Sequence, residues 1–300
     1  MKNVALATVA VVLAAGCSSR IVPTPVDDPR WADATSVVAA GDIADCRNVL
    51  PGASGAARTA ALNSPADAIV LTLGDNTYPV GAASEFSECF DATWGKFGAR
   101  LRPSPGNHVY QTPGAGGYFE YFGERAGPER RGYYSFNVRG WHVVSLNSNV
   151  DATPGSPQYR WLVDDLKATA AVPCILAVWH HPVFSSGPHG NDPRMGHVLA
   201  ALYAAGADVV LVGHDHVYER FEPHDAAGAA DPLRGIRSFT VGTGGARLYR
   251  FKAVHPRSVV REASDHGVLR LALGDGRYRW EFMPAGGGPA LDRGVAECHR

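Results

Sequence analysis

Three hundred residues with 45% hydrophobic content can bury a full core as one large domain or two small ones, and we favour one. Lys and Arg (28) nearly balance Asp and Glu (29), and no basic cluster occurs, so there is no electrostatic case for a nucleic-acid partner. No apolar stretch is long enough for a conventional membrane span.

At the N-terminus, Lys2 precedes an apolar run from Val4 to Ala15 and then Gly16-Cys17-Ser18-Ser19. This resembles a bacterial lipoprotein signal with Cys17 as the lipidated residue. Ala14 stands where a larger aliphatic is usual, and the alternative is a plain secretory signal cut near Ala15. The expected organisation is a signal over residues 1–16, a proline-rich tether over 17–32 and one folded domain over 33–300. Either signal exports the protein, as a cell-envelope lipoprotein or a secreted bacterial one, with the membrane met only through a lipid at Cys17. Setting Cys17 aside leaves Cys46, Cys89, Cys174 and Cys298, which in an oxidising compartment predict two disulfides. Of the three pairings, Cys46 with Cys89 is favoured, since each follows shortly after an Asp-bearing strand end. No Cys-x-x-Cys pair occurs, which argues against a thiolate zinc site.

From Asp33 onward, strand and helix patterns alternate, which predicts βα units packed in layers. Ser36 to Ala40 runs into Gly41-Asp42, and Ala68 to Leu73 runs into Gly74-Asp75. Leu101 to Pro105 leads to Gly106-Asn107-His108, Cys174 to Trp179 to His180-His181, and Val209 to Val212 to Gly213-His214-Asp215-His216. Short apolar runs bounded by turn residues read as buried strands, and ligands in open α/β sheets bind beyond the carboxyl ends of strands. Alternation along an extended segment would turn His214 and His216 toward one point. Further strands are expected at Trp141 to Leu146, Ser238 to Val241, and the hairpin Val268 to Leu273 with Arg277 to Met283. Helices are expected over Ala53 to Asn63, Ser84 to Phe97, Gln158 to Thr169 and Pro193 to Ala205. Gln111 to Gly117 and Asp225 to Gly235 read as surface loops, and Gly242 to Gly245 as a tight turn near the site.

Taken in order, Gly41-Asp42, Gly74-Asp75-Asn76-Thr77-Tyr78, Gly106-Asn107-His108, Val178-Trp179-His180 and Gly213-His214-Asp215-His216 resemble the motif set of the calcineurin-like metallophosphoesterases. Tyr78 places the resemblance with the purple acid phosphatase branch, and His189-Gly190 also resembles that branch, which carries a histidine there near the substrate. The segments Glu85 to Gly106 and His180 to Gly190 are most similar to its short bacterial members, which lack the N-terminal β-domain of plant enzymes. The resemblance implies a four-layer αββα sandwich with mixed sheets in a single domain. It further implies a metal-dependent hydrolase that cleaves phosphate monoesters of small molecules by in-line attack of a metal-bound hydroxide.

The residue types suit that chemistry. Asp75 has two oxygens and can bridge two cations. Asp42, Tyr78 and His216 complete a hard anionic site suited to Fe(III), while Asn107, His180 and His214 form a neutral site suited to divalent Fe, Zn or Mn. Two such metals, about 3.5–4 Å apart, can hold the attacking and leaving oxygens of a phosphoryl displacement. His108 and His189 are then the candidate proton donors.

Plainer readings stand beside these. Asp42 and Asp75 are possible N-caps, Tyr78 a packing residue against Pro79, and Asn107 a turn residue. His181 is read as structural, and His142, His197, His224, His255, His266 and His299 as surface or loop residues. Val109 stands where the family usually has an acid beside the Asn-His pair, which leaves His108 without that partner. Asp45 reads equally as an orienting residue and a loop cap. The alternatives are a phosphodiesterase of the same fold, or a lipoprotein that holds metal or phosphate without turnover. No nucleophile elbow, Walker loop or His-Glu-x-x-His occurs.

Overall fold

The computed structural model describes residues 31–45, 47, 50–62 and 64–299. The expected signal, most of the tether, Cys17 and Cys46 lie outside the described residues.

Two mixed sheets form the body of the molecule. The first runs in the order β15 (Asp292–Glu297), β14 (Arg277–Pro284), β13 (Gly267–Gly274), β1 (Thr35–Ala40), β3 (Ile69–Leu73), β5 (Leu101–Ser104). The second runs β12 (Ser258–Glu262), β10 (Tyr218–Phe221), β11 (Arg237–Val241), β9 (Val209–Val212), β8 (Cys174–Val178), β7 (Trp141–Ser145), β6 (Tyr134–Val138). A short parallel pair, β2 (Ala44–Asp45) and β4 (Thr77–Tyr78), lies apart from both. Helices α1 (Gly55–Ala60), α2 (Ala83–Glu85), α3 (Gly116–Phe122), α4 (Pro157–Ala168) and α5 (Gly196–Ala204) complete the chain.

The central strands are apolar along their whole length because both of their faces are covered. In β8, Cys174, Leu176 and Val178 join the core shared with the first sheet, whereas Ile175 and Ala177 join a second core with Leu162 and Leu166 of α4 and Leu199 of α5. β9 alternates in the same way, Val209 and Leu211 inward, Val210 and Val212 toward the helices. At the start of β8 a Cys174–Cys298 disulfide joins the second sheet to the segment that follows β15 of the first. Cys89 is also disulfide-bonded, and the expected pairing with Cys46 involves a residue outside the described set.

Where the structure departs from the sequence reading, local bonding explains it. The expected helix over Ser84 to Phe97 is α2, then a π-helical turn Phe86–Phe90, then a 3-10 segment Trp94–Arg100. Thr93 Oγ1 donates to the Cys89 carbonyl at 2.8 Å and competes with helical bonding there. α1 starts two residues later than expected because Ser54 caps it, accepting from Ala57 N at 3.1 Å, and it ends at Ala60. Two histidines expected at the surface or in loops are buried. His142 lies within β7 between Asn137 Oδ1 and Asp165 Oδ2, each at 2.7 Å, and His224 bonds Ser238 Oγ at 2.8 Å.

Candidate metal centre

β1, β3 and β5 are mutually parallel, as are β7, β8, β9 and β11, so the carboxyl ends of each set lie along one edge of its sheet. Asp42, Asp75 and Asn107 follow β1, β3 and β5, while His180, His214 and His216 follow β8 and β9; Tyr78 ends β4. A backbone bond joins the two edges, Gly41 N donating to Val241 O at 2.8 Å, and within the second edge Gly213 N donates to His180 O at 3.0 Å.

The backbone at these positions is unusual. Asp42, Asp75 and His214 occupy the left-handed region, with φ of 59°, 43° and 71°. Such conformations cost about 1–3 kcal/mol each in non-glycine residues and cluster at functional sites. Crowding explains two of the motif glycines. A Cβ at Gly106 would lie 2.1 Å from Asp75 Oδ1, and one at Gly74, where φ is +87°, would lie 2.3 Å from His180 Nδ1.

All seven predicted donors fall in one connected cluster. Each aspartate ties one oxygen to backbone: Asp42 Oδ2 accepts from His214 N at 2.8 Å, and Asp75 Oδ1 from His108 N at 2.9 Å. Their other oxygens turn inward. Asp42 Oδ1 lies 2.7 Å from the Tyr78 hydroxyl and 3.1 Å from His216 Nε2. Asp75 Oδ2 lies 3.2 Å from both the Tyr78 hydroxyl and His180 Nε2, whose other neighbour is Asn107 Oδ1 at 3.1 Å. One carboxylate oxygen therefore touches both halves of the cluster.

The second ring nitrogens decide what the imidazoles present. His180 Nδ1 is 2.8 Å from Leu73 O, and His216 Nδ1 is 2.7 Å from Arg247 O. A carbonyl only accepts, so each Nδ1 carries the hydrogen and each Nε2 faces the cluster. There it meets carboxylate oxygens, and a proton or a cation between them relieves the clash of lone pairs. Burial opposes a proton on His180, but Asp75 and Asp42 outweigh it and raise its pKa to about 9. Burial alone would raise Asp42, yet His216 and His180 hold it below the usual carboxylate range. Burial, with Asp42 and Asp75, pushes the Tyr78 phenol well above its ordinary value. His214 behaves oppositely. Burial, then His180 and His189, lower it to about 3, so it is neutral with a lone pair to offer. The donor set thus fits cations: buried oxygens and nitrogens converge, and positive charge offsets their repulsion.

A model of the calcineurin-like phosphoesterases matches residues 35–218, more than half of the chain. The chain belongs to the calcineurin-like phosphoesterase family. Purple acid phosphatase 18 of Arabidopsis thaliana is 36% identical over 158 residues, 49% of this chain and 36% of the relative. Purple acid phosphatase 21 of the same plant is 39% identical over 160 residues, 50% of this chain and 36% of that one. The chain thus aligns with little more than a third of these relatives' length. A purple acid phosphatase from yellow lupin (Lupinus luteus) seeds shares the fold, with a TM-score of 0.73 at 18% identity, covering 88% of this chain and 53% of that one. This is the metallophosphoesterase fold expected from the motifs.

In this calcineurin-like phosphoesterase the two histidines of the Gly-His-Asp-His stretch do not converge by strand alternation. β9 ends at Val212 and His214 is left-handed, so His216 reaches Asp42 and Tyr78 while His214 packs beside His180 and His189, with ring centroids 5.0 and 4.2 Å away. His181 is buried, bonded through Nδ1 to Ser148 Oγ at 2.8 Å, yet its ring centroid is 4.4 Å from that of His214. His108 stands at the rim beside Tyr78, with Nδ1 2.5 Å from Pro79 O and Nε2 3.9 Å from Asp75 Oδ2. The Pro79 carbonyl orients the ring where Val109 cannot. Asp45 accepts from Arg47 Nη2 at 2.6 Å and acts in its own loop.

Two neighbours were not singled out as site residues. Asp215 is fully buried and accepts from His189 N at 3.1 Å, with His189 Nδ1 at 2.9 Å. Its position between the two histidines was the available signal. Tyr249 stacks on His216, centroids 4.0 Å apart and planes 8° apart, and no motif announced it.

Proposed function

We propose that the chain is an exported phosphatase that hydrolyses phosphate monoesters of small molecules at a dinuclear metal centre, Fe(III) beside a divalent Fe, Zn or Mn. The supporting observation is the position of Asp75 Oδ2, 3.2 Å from Tyr78 on one side and 3.2 Å from His180 on the other. Asp42, Tyr78 and His216 would hold the trivalent ion, Asn107, His180 and His214 the divalent one, and Asp75 both. Bound metals would acidify the attacking water and offset charge on the phosphoryl oxygens.

The chain's own groups supply the rest. Nδ1–H bonds to Leu73 and Arg247 fix His180 and His216 so that each Nε2 lone pair faces inward. Pro79 O fixes the His108 ring and Asp215 fixes that of His189, which leaves each Nε2 to hold a proton for the departing alkoxide. Being acceptor-only when ionised, Asp215 keeps a hydrogen on Nδ1 of His189. Among the described residues no helix is long and apolar enough to cross a membrane. Export by residues 1–16, with a lipid at Cys17, belongs to the same proposal and is checked by the mass of the mature N-terminus.

Turnover of a chromogenic monoester by metal-replete protein, with elemental analysis and a visible spectrum, tests the reading. A phenolate on ferric iron gives a visible charge-transfer band, so iron-loaded protein should be coloured and Tyr78→Phe should lose the band. Colourless protein containing ferric iron would remove Tyr78 from the donors. A wild type that prefers an aryl diester to the matched monoester would make the protein a phosphodiesterase.

A further inference from the structure

On the His216 side of the centre lies a cavity of about 290 Å³, whose lining includes Asp45, Ser54, Arg58, Gly245, Arg247 and His266. Its wall is the backbone that holds the site. Ala246 N donates to Asp42 O at 2.9 Å, Arg247 O accepts from His216 Nδ1 at 2.7 Å, and Tyr249 N donates to His216 O at 3.0 Å. On the facing side Asp45 is the register partner of Tyr78.

The cavity is positively charged. Arg58 Nη2 is 2.9 Å from His266 Nδ1, and a guanidinium only donates, so Nδ1 accepts. Nε2–H of a neutral His266 then donates to Ala246 O at 2.9 Å. Arg58 is therefore aimed by a neutral ring, and among the described residues no carboxylate pairs with it. Nor does one pair with Arg247. The cavity's own acid, Asp45, is already taken by Arg47, through Nε at 2.8 Å and Nη2 at 2.6 Å. Arg58 and Arg247, both exposed, line the cavity beside the phosphoester site without a carboxylate partner among the described residues, and planar forks of this kind bind phosphate in bidentate fashion.

We propose that this cavity binds a second phosphate, carried on the alcohol part of the substrate, so that the protein favours bisphosphorylated esters over simple monoesters. The proposal rests on the phosphatase reading above. Its consequence is a specificity set by Arg58 and Arg247, outside the predicted donors.

The test compares kcat/KM for butane-1,4-diol bisphosphate and phenyl phosphate, using full-length metal-loaded protein. In Arg247→Gln and in Arg58→Gln the ratio of the two should fall about 10- to 100-fold, the worth of one charge-assisted hydrogen bond. Arg58→Lys should restore part of it. Calorimetry with butane-1,4-bisphosphonate and butylphosphonate reads the cavity without turnover, and the bisphosphonate advantage should vanish in the glutamine variants. If wild type hydrolyses neither ester, the phosphatase reading fails while the binding comparison still judges the cavity. An unchanged ratio, no bisphosphonate advantage, or an equal fall in Arg293→Gln on exposed β15 would overturn the proposal.

Discussion

Strands β8 and β9 each touch two clusters of metal-ligand type, one at either end. Where they begin, Cys174, Cys298 and Asp208 lie within 4.8 Å of one another; beyond where they end, so do Asp42, Asp75 and His180. Proximity alone would rate the two alike. At the first, however, the sulfurs are bonded to each other, Asp208 Oδ2 accepts from Ile175 N at 2.8 Å, and Oδ1 accepts from His299 N at 2.8 Å. At the second, Asp42 Oδ1 and Asp75 Oδ2 have turned away from the backbone toward each other's neighbours. The first cluster is a brace whose donors are all engaged. In the second, lone pairs converge in a set that fits a cation, and two of its residues, Asp42 and Asp75, hold left-handed backbone.

The sharpest way to break this contrast is to remove the proposed bridge. Asp75→Asn should lower metal content at both positions, from two ions per chain toward none, and reduce kcat on the order of 10⁴-fold or more, since all metal assistance goes with it. His180→Ala should weaken mainly one position. Elemental analysis showing one metal per chain with full activity would end the dinuclear account. Next in size are the two rim histidines. His108→Ala and His189→Ala should each lower kcat by about 10²-fold to 10⁴-fold with metal content unchanged. The loss should be greater for alkyl than for aryl phosphates, because the poorer leaving group needs the proton more. Variants equally impaired on both would strip these histidines of an acid role.

How much of this was legible in the sequence depended on whether a residue's role followed from its neighbours in the chain. Apolar runs ending in Asp42, Asp75, His180 and His214 gave away the central strands and the donors together, since a strand covered on both faces admits few polar residues before its end. Three of the four edge strands of the two mixed sheets were missed for the converse reason. β6, β12 and β15 mix exposed and partly covered positions, and Arg261, Glu262 and Arg293 interrupt any apolar run. The partners that orient the rings were equally hidden, because Leu73, Pro79 and Arg247 act through backbone carbonyls that any residue possesses. Tyr249 and the Arg58–His266 pair depend on contacts between distant segments, for which the chain carries no local pattern.

The brace makes the opposite prediction to the metal centre. Replacing Cys174 and Cys298 by alanine removes a crosslink between residues 124 apart in sequence and should cost about 2–5 kcal/mol of stability. Urea unfolding at neutral pH would show the midpoint falling. Under native conditions kcat/KM and metal content should stay at the wild-type level. A loss of metal in this variant would mean that the two ends of β8 are not independent.

The smallest expected effect bears on a residue that belongs to neither cluster's donors. Asp215 is buried, holds His189 through both its backbone N–H and its ring, and takes the Ser185 hydroxyl on its other oxygen. On the proposed reading it would act on the reaction through His189. Asp215→Asn keeps the volume but removes the anion that pairs with the imidazole, so kcat should fall about 10- to 100-fold, the usual cost of losing such an outer partner. Metal content should hold, and alkyl phosphates should suffer more than aryl ones. Because both side chains serve one proton, the His189→Ala/Asp215→Asn double variant should be no slower than His189→Ala alone. Additive losses would show that Asp215 has a second task, most simply holding the Ser185 to His189 loop in place.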